Sequence, residues 1–460
     1  MVISDSGQIK NQGANVRIEP GYYTPLKPSK SQTIKHLSMQ TILQSYKAQS
    51  VIFLFIYLVS MVLSAEAVLS ISMIALVVLA VFQLKIDGPK IRVTLRDSLR
   101  ANFEKYRRYT PWLAVSVPFL LVLASWPWSG DLHYTLERLR IKLPFLVLPF
   151  AFASMPPLRK REVLTILYFL LVTMSIISVY VLINFIAHFD AVMADLGRGG
   201  HLPTPSNHIR FSLTLALTIL GGGALWVERF HFSSKNERWL IGGLTLFLFA
   251  FIHVLSVRSG LISLYLALLA LGAWFVFAKQ KYLLGLAGIA AVVALPVLAY
   301  FTVPSFRAKV EYAKWDYRQF QQGTGTDYPD AERLTSVLIG LDIGREHPWF
   351  GVGAGDLDRV VHERYDSGAY GHYQFRMPHN QFVTIFAGTG LVGLVLFTVA
   401  FLLPLFYRGN WRNPLFLALH AIVFSSYLVE ATIENNFGVS MYLFFLLVGL
   451  KYLGEGETEH

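Results

Sequence analysis

Arg258, Arg333 and His379 are the residues whose types and settings best suit chemistry on a polyanion. Arg258 sits in Ser256-Val257-Arg258-Ser259-Gly260, a short turn between two apolar runs. Arg333 follows Pro329-Asp330 at the start of a helical pattern, and His379 opens His379-Asn380-Gln381 after Met377-Pro378, directly before another apolar run. A guanidinium grips phosphate oxygens through parallel charge-assisted hydrogen bonds and keeps its charge at membrane depth, where a buried Lys can lose its own. A His in the first turn of a helix feels the positive end of the dipole, which disfavours imidazolium and leaves a neutral base. Two Arg and a neutral His fit transfer of a group from a lipid diphosphate to a hydroxyl. Each residue also has a plainer reading. Arg258 could be an interfacial anchor, Arg333 a solvated partner of Glu332 or Asp330, and His379 a helix-start residue satisfied by water. The chemical reading gains weight because all three fall on the outer side of a topology obtained without them.

That topology starts from composition. The 460 residues are 54% apolar and 15% charged, with a mean hydropathy of +0.47. Soluble domains carry about 25% charge, so an ordinary soluble enzyme is excluded, and the apolar content excludes a disordered chain. Apolar runs near the roughly 20 residues needed to cross a bilayer occur at residues 47–64, 66–84, 111–127, 139–156, 162–187, 208–227, 239–257, 259–278, 282–302, 380–406, 413–430 and 437–454. The expected fold is an all-α polytopic integral membrane protein with about 12 transmembrane helices and one large outer segment containing short helices. Its layout is a cytoplasmic tail over 1–46, nine helices over 47–302, the outer segment 303–378, three helices over 379–454 and a cytoplasmic tail over 455–460.

The positive-inside rule tests this layout. Cytoplasmic segments hold 25 basic residues, short outer segments 6, and the long outer segment, which the rule exempts, the remaining nine. The net charge of +11 is therefore spread along the inner side, and the outer segment balances nine basic against eleven acidic residues, so no nucleic-acid surface is indicated. Cys is absent, which excludes disulfides, thiolate metal ligands and a Cys nucleophile. In the outer segment, Leu334, Val337, Leu338 and Leu341 follow helical spacing and predict an amphipathic helix after Pro329-Asp330.

Further residues carry weaker signals. Arg210, in Ser206-Asn207-His208-Ile209-Arg210 at an outer span mouth, could help to hold an anionic substrate. Gly351-Val352-Gly353-Ala354-Gly355 reads mainly as a turn, and Asp356-Leu357-Asp358 as a solvated loop rather than a metal site. Trp126, Trp128, Trp315 and Trp349 read as interfacial aromatics rather than a sugar platform. Glu430 and Glu434 flank an outer turn with no role assignable from sequence, and Gly323, Gly325 and Gly351 would permit the outer segment to move.

The stretch His379-Asn380, nine residues, Gly390-Leu391-Val392-Gly393 resembles the signature of bacterial O-antigen ligases. Arg333-Leu334 leading through Gly344-Arg345-Glu346-His347-Pro348-Trp349-Phe350-Gly351-Val352-Gly353 is similar to that family's outer segment. Ser256-Val257-Arg258-Ser259-Gly260 resembles its preceding turn, with Val257-Arg258 in place of the usual Ser-Arg order. Val337 stands where many relatives carry Trp. The resemblance covers about 240–400 well. It implies transfer of a glycan from undecaprenyl diphosphate to a sugar hydroxyl of lipid A-core, at the periplasmic face of the bacterial inner membrane, without metal, ATP or other cofactor. It further implies that Arg258 and Arg333 bind the diphosphate, that His379 is the general base, and that Arg210, Asn380 and Arg345 contact substrate. Direct displacement would invert the anomeric carbon. O-antigen polymerases and protein O-oligosaccharyltransferases share the superfamily and stay open as alternatives. A lipid-linked glycan transporter would place functional charges near the bilayer midplane, whereas these spans read as nearly charge-free.

Overall fold

The computed structural model describes residues 45–87, 90–205, 207–321, 329–371 and 373–455. The expected N-terminal tail, apart from its last two residues, and the C-terminal tail beyond Glu455 lie outside these, as do Gly323 and Gly325. The chain runs α1 (Tyr46–Val62), α2 (Glu66–Val81), β1 (Phe82–Asp87), β2 (Lys90–Leu95), α3 (Leu99–Arg108), α4 (Thr110–Val115), α5 (Val117–Ser125), α6 (Leu132–Ser154), α7 (Lys160–Ala187) and α8 (Phe189–Leu196). It continues with α9 (His208–Val227), α10 (Glu237–Leu255), α11 (Arg258–Phe277), α12 (Tyr282–Thr302), α13 (Pro304–Gln321), α14 (Pro329–Glu346), α15 (Leu357–Asp366), α16 (Gln381–Phe406), α17 (Pro414–Val429) and α18 (Asn436–Glu455).

Every apolar run found in the sequence coincides with helix. Among the described residues seven helices, α7, α9, α10, α11, α12, α16 and α18, are long and apolar enough to cross a membrane. Four apolar stretches are shorter: α1, α2, α17 and α5 with the turn that follows it. Two runs are built differently from the expectation. The third divides at Ser116 into α4 and α5, each with a Pro in its first turn, where the missing N–H costs no intrahelical bond. The fourth, α6, begins at Leu132 and takes Arg138, Arg140 and Lys142 into the helix instead of leaving them in an outer loop. Its Lys142 is buried, so the spans are not free of internal charge.

The all-α expectation also misses one hairpin. β1 and β2 pair antiparallel with Phe82 opposite Leu95 and Asp87 opposite Lys90. Arg96 fastens its base, donating from Nε to the Leu79 carbonyl at 2.9 Å and from Nη2 to the Phe82 carbonyl at 3.0 Å. A six-residue alternation lost beside a long apolar run leaves little periodic signal.

The bundle packs α11 against α12 and α17, α9 against α7, α10 and α11, and α18 against α6. Outside its seam with α11, α12 is almost entirely exposed and apolar, as a lipid-facing helix must be. Because successive helices alternate in direction, the N-terminal ends of α9, α11 and α16 and the C-terminal ends of α10 and α17 arrive at the same face.

The segment between α12 and α16 folds over that face as α13, α14 and α15. A small core of Ile339, Ile343, Leu357, Val361 and Ala387 joins α14, α15 and α16. The expected leucine stripe does not form that contact. Leu334 and Leu338 are 42% and 43% exposed, while Ala331, Thr335, Ser336, Ile339, Gly340 and Ile343 are buried. The small residues win because α14 lies very close to α16: a side chain at Gly340 would put its Cβ 2.7 Å from Val383 and 2.8 Å from Pro378.

α16 itself is interrupted. Gly390 adopts φ +67°, ψ −168°, a conformation open essentially to Gly alone. The loop 348–353 supplies partners for the backbone groups this frees. Val352 and Gly353 donate to the carbonyls of Ala387 and Gly388 at 3.0 and 2.9 Å, and Leu391 donates to the Pro348 carbonyl at 2.7 Å. A Cβ at Gly390 would lie 2.2 Å from the Trp349 carbonyl carbon. Gly390→Ala is therefore expected to cost at least about 1–3 kcal/mol from backbone strain alone, with the clash added. A lowered thermal unfolding temperature of the detergent-solubilised protein checks this, and an unchanged one would refute it.

Candidate active site

An open cleft of about 350 Å³ lies where these helix ends meet the outer segment. Arg258, Asp330, Arg333, His379 and Glu430 line it, together with Lys309 from α13 and His201 and His208 from the approach to α9. Residues as far apart as His201 and Glu430, 229 positions, are thus brought together.

Arg258 is delivered by a reversal of the chain. Ser256 closes α10 with φ +54°, and its hydroxyl donates to the carbonyl of His253, so α11 starts two residues later with Arg258. The guanidinium meets Asp330 through two bonds, Nη1 to Oδ2 at 2.6 Å and Nη2 to Oδ1 at 2.8 Å. Arg333, one turn further along α14, places Nη1 3.6 Å from the same carboxylate. A single Asp thereby holds two guanidinium groups side by side, which would otherwise repel. The Nε of Arg333 is buried with no hydrogen-bond partner among the described residues. The plainer reading of Arg333 as a partner of Asp330 is therefore true of its geometry, but the pair lies in a cleft rather than on an open surface.

α14 also positions His379. Ser336, one turn beyond Arg333, accepts the His379 backbone N–H at 3.1 Å. Arg376 reaches back to the buried Glu332, anchoring the strand that leads to the His. The His379 Nδ1 lies 3.0 Å from the Met377 carbonyl, which assigns the ring proton to Nδ1 and leaves Nε2 as the proton acceptor. Burial pushes the imidazole below its usual value of 6.5, and the nearby cations Arg333 and Arg376 push the same way, against Glu430. The helix dipole expected from the sequence is not the leading cause. His379 precedes the N-cap Asn380 instead of lying in the first turn, and burial leads over any dipole effect.

Lys309 and His201 line the cleft without having stood out in the sequence, and Glu430, noted there without a role, lines it as well. Lys309 donates to the carbonyls of Gly199, at 3.1 Å, and Gly200, tying α13 to the connection before α9. Burial, then Arg258 and to a lesser extent Arg333, lower its pKa to about 8. In the sequence it is one basic residue among nine in the outer segment. Glu430 ends α17 and is a charge neighbour of both His379 and Arg210. His201 and His208 stack with ring centres 3.8 Å apart.

The other candidates divide. Arg210 is on α9 with its guanidinium 5.8 Å above the Phe437 ring, close in charge terms to Glu430 but not lining the cleft. Asn380 is an N-cap: its Oδ1 accepts from Val383 at 3.1 Å, and its Nδ2 donates to the Leu428 carbonyl at 3.0 Å. Arg345 is at the far end of α14, exposed and paired with Asp342 at 2.9 Å, and the fold does not bring it to the cleft. Asp356 is buried rather than solvated, accepting from the backbones of Gly130 and Asp131 at 2.8 and 3.1 Å. Among the described residues no group of His, Asp and Glu has the arrangement of a metal site.

Residues 243–398 match the protein family described as O-antigen ligase. This match supports a relationship of that region to the O-antigen ligase/polymerase superfamily. Members are glycosyltransferase-like enzymes acting on lipid-linked glycans. No curated protein matches the chain. The matched region contains Arg258, Arg333, His379 and the Gly390 break, whereas Arg210, Glu430 and Glu434 lie outside it.

Glu434 belongs to a clamp beneath the site. Its Oε1 accepts from Lys142 Nζ and from Gln381 Nε2, both at 2.7 Å, and Gln381 Oε1 accepts the Ile433 N–H at 3.0 Å. With the Asn380–Leu428 bond, this fixes His379-Asn380-Gln381 to the segment 428–434 on both sides of Glu430. Burial raises the Glu434 pKa, but Lys142, Gln381 and Arg138 together outweigh it and hold the carboxyl below its usual range. Glu434→Ala would leave Lys142 buried without a counter-charge, at a cost of about 3–5 kcal/mol. Because Glu434 keeps 20% of its side chain exposed, the lower end is expected. Thermal unfolding of the variant measures this, and a change within error of wild type would contradict it.

Proposed function

We propose that this enzyme is an O-antigen ligase, moving a glycan from undecaprenyl diphosphate to a sugar hydroxyl of lipid A-core. The observation that carries the reading is the convergence of Arg258, Arg333 and His379 on one cleft from three separate segments. In this scheme, about twelve helices cross the bacterial inner membrane, both termini are cytoplasmic, and the cleft opens to the periplasm. The arrival of the cleft residues at helix ends that share one face supports that placement.

His379 Nε2 takes the proton of the acceptor hydroxyl as its oxygen bonds to the anomeric carbon. The bond from that carbon to the diphosphate oxygen breaks, and undecaprenyl diphosphate departs with the electron pair. Arg258 and Arg333 supply preorganised donors where negative charge grows. Glu430 faces the imidazolium that forms and favours it. Of the described carboxylates lining the cleft, Asp330 is engaged by the two guanidiniums and Glu430 faces His379, so single displacement with inversion is the fitting course. Asp330, which already pairs both guanidiniums, positions them.

The test combines purified protein, lipid-diphosphate glycan and lipid A-core in EDTA, read by a gel shift of the acceptor. Wild type should form product, while His379→Ala should lose about 10²–10⁴ in rate and Arg258→Ala should also fail, both remaining folded. Longer lipid-linked glycans without acceptor transfer would show a polymerase instead, and the absence of any transfer with matched substrates would return the transporter reading. The pH profile supplies a second check. The base form of His379 is retained as pH falls until its lowered pKa is reached, so the acid limb should lie below 6.5. Lys309 discharges near pH 8, so the donor KM should rise above that point.

A further inference from the structure

A second cleft, of about 690 Å³, adjoins the first and shares Tyr312 and Pro329 with it as a dividing wall. One face of α13 forms its floor: Ala308, Glu311, Tyr312 and Trp315 follow the spacing i, i+3, i+4, i+7. Arg198, in the connection between α8 and α9, stands on the other side. The Tyr312 and Trp315 rings are 5.8 Å apart and tilted by 43°, and Trp315 leaves 43% of its surface open. Lys309 joins the two walls through the carbonyls of Gly199 and Gly200, and Gly199 lies directly against the Tyr312 ring.

We propose that this cleft is a carbohydrate subsite for the sugars of the donor beyond the one that reacts. The identity of its ligand rests on the ligase reading above. Its volume lies within the range of about 300–1,000 Å³ typical of ligand clefts. Ring faces suit the C–H faces of sugars, and Arg198 and Glu311 supply a donor and an acceptor for hydroxyl groups. A polyprenyl tail fits less well, since it would strip water from both charged side chains without replacing their hydrogen bonds. Placement selects the donor over the acceptor. The charges around Lys309 are Arg258, Asp195, Asp330 and Arg333, whereas those around His379 are Glu430, Arg333 and Arg376. The dividing wall carries the same assignment: Pro329 directly precedes Asp330, which holds the two guanidiniums, and Tyr312 lies one turn from Lys309, so the second cleft adjoins the diphosphate-gripping end. On this proposal Trp315, read from the sequence as an interfacial aromatic, turns its ring to sugar.

Equilibrium binding to the full-length protein tests this with two probes: lipid-linked glycan from the source bacterium and the same lipid trimmed to its first sugar. Wild type should bind the full donor more tightly. Trp315→Ala should weaken the full donor about tenfold and leave the trimmed donor unchanged, with Trp315→Tyr close to wild type. Arg198→Ala, at an exposed loop position, should give the same selective loss and serves if Trp315→Ala does not fold. Equal effects on both donors, no effect on either, or an effect on lipid A-core binding alone would overturn the subsite. Wild type that distinguishes the donors but forms no product would overturn the ligase reading while supporting the subsite.

Discussion

A helix that stops and restarts inside an apolar bundle must find new partners for the amide groups it exposes, since lipid offers none. Gly390 imposes that requirement on α16, and the loop 348–353 meets it. The exchange is reciprocal. The bundle gains satisfied backbone groups, and the outer segment gains a fixed attachment close to His379. α14 is held between this attachment and the small-residue contact at Gly340, so its direction over the cleft is set by backbone hydrogen bonds and close packing. Asp330, Arg333 and Ser336 then fall on successive turns and face the same space.

Within that frame, charges are placed by pairing rather than by isolation. Asp330 permits two guanidiniums to approach one another, and Glu332 with Arg376 steadies the strand that carries His379. The Lys142–Glu434–Gln381 clamp supports the same strand from below. Few of these groups need to touch a substrate to matter. A site that handles a diphosphate requires concentrated positive charge, and each counter-charge here lowers the cost of concentrating it. The superfamily match ends at residue 398, yet Glu430 and Glu434 complete the surroundings of the proposed base.

Much of this was legible before any coordinates. Long apolar runs mark helices clearly because their signal accumulates over many residues; Arg258 and His379 stand out as polar residues at the ends of such runs, and Arg333 at the start of a helical pattern. The motif from His379 to Gly393 led to the superfamily, and the fold supplies the reason for its central glycine. Other features left no comparable trace. Lys309 reaches the cleft only because α13 folds back along the connection near Gly199, a pairing over 110 residues that no local pattern encodes. The leucines of α14 follow an amphipathic spacing, but tight approach to α16 favours Gly340 and its small neighbours over bulk. Arg345 lies in a family-like stretch, yet the direction of α14 carries it away from the cleft. Lys142 looked like a loop charge because charged residues usually terminate a span; its partner Glu434 lies 292 positions away.

The break in α16 has a mechanical consequence. Residues 381–389 and 391–406 are two rods that meet at a break, not one rod. The loop 348–353 bonds to both, at Ala387 and Gly388 above the break and at Leu391 and Val392 below it. The imidazole of His379 is thus referenced at once to the outer layer, through Ser336, and to the bundle, through Gln381, Glu434 and Lys142.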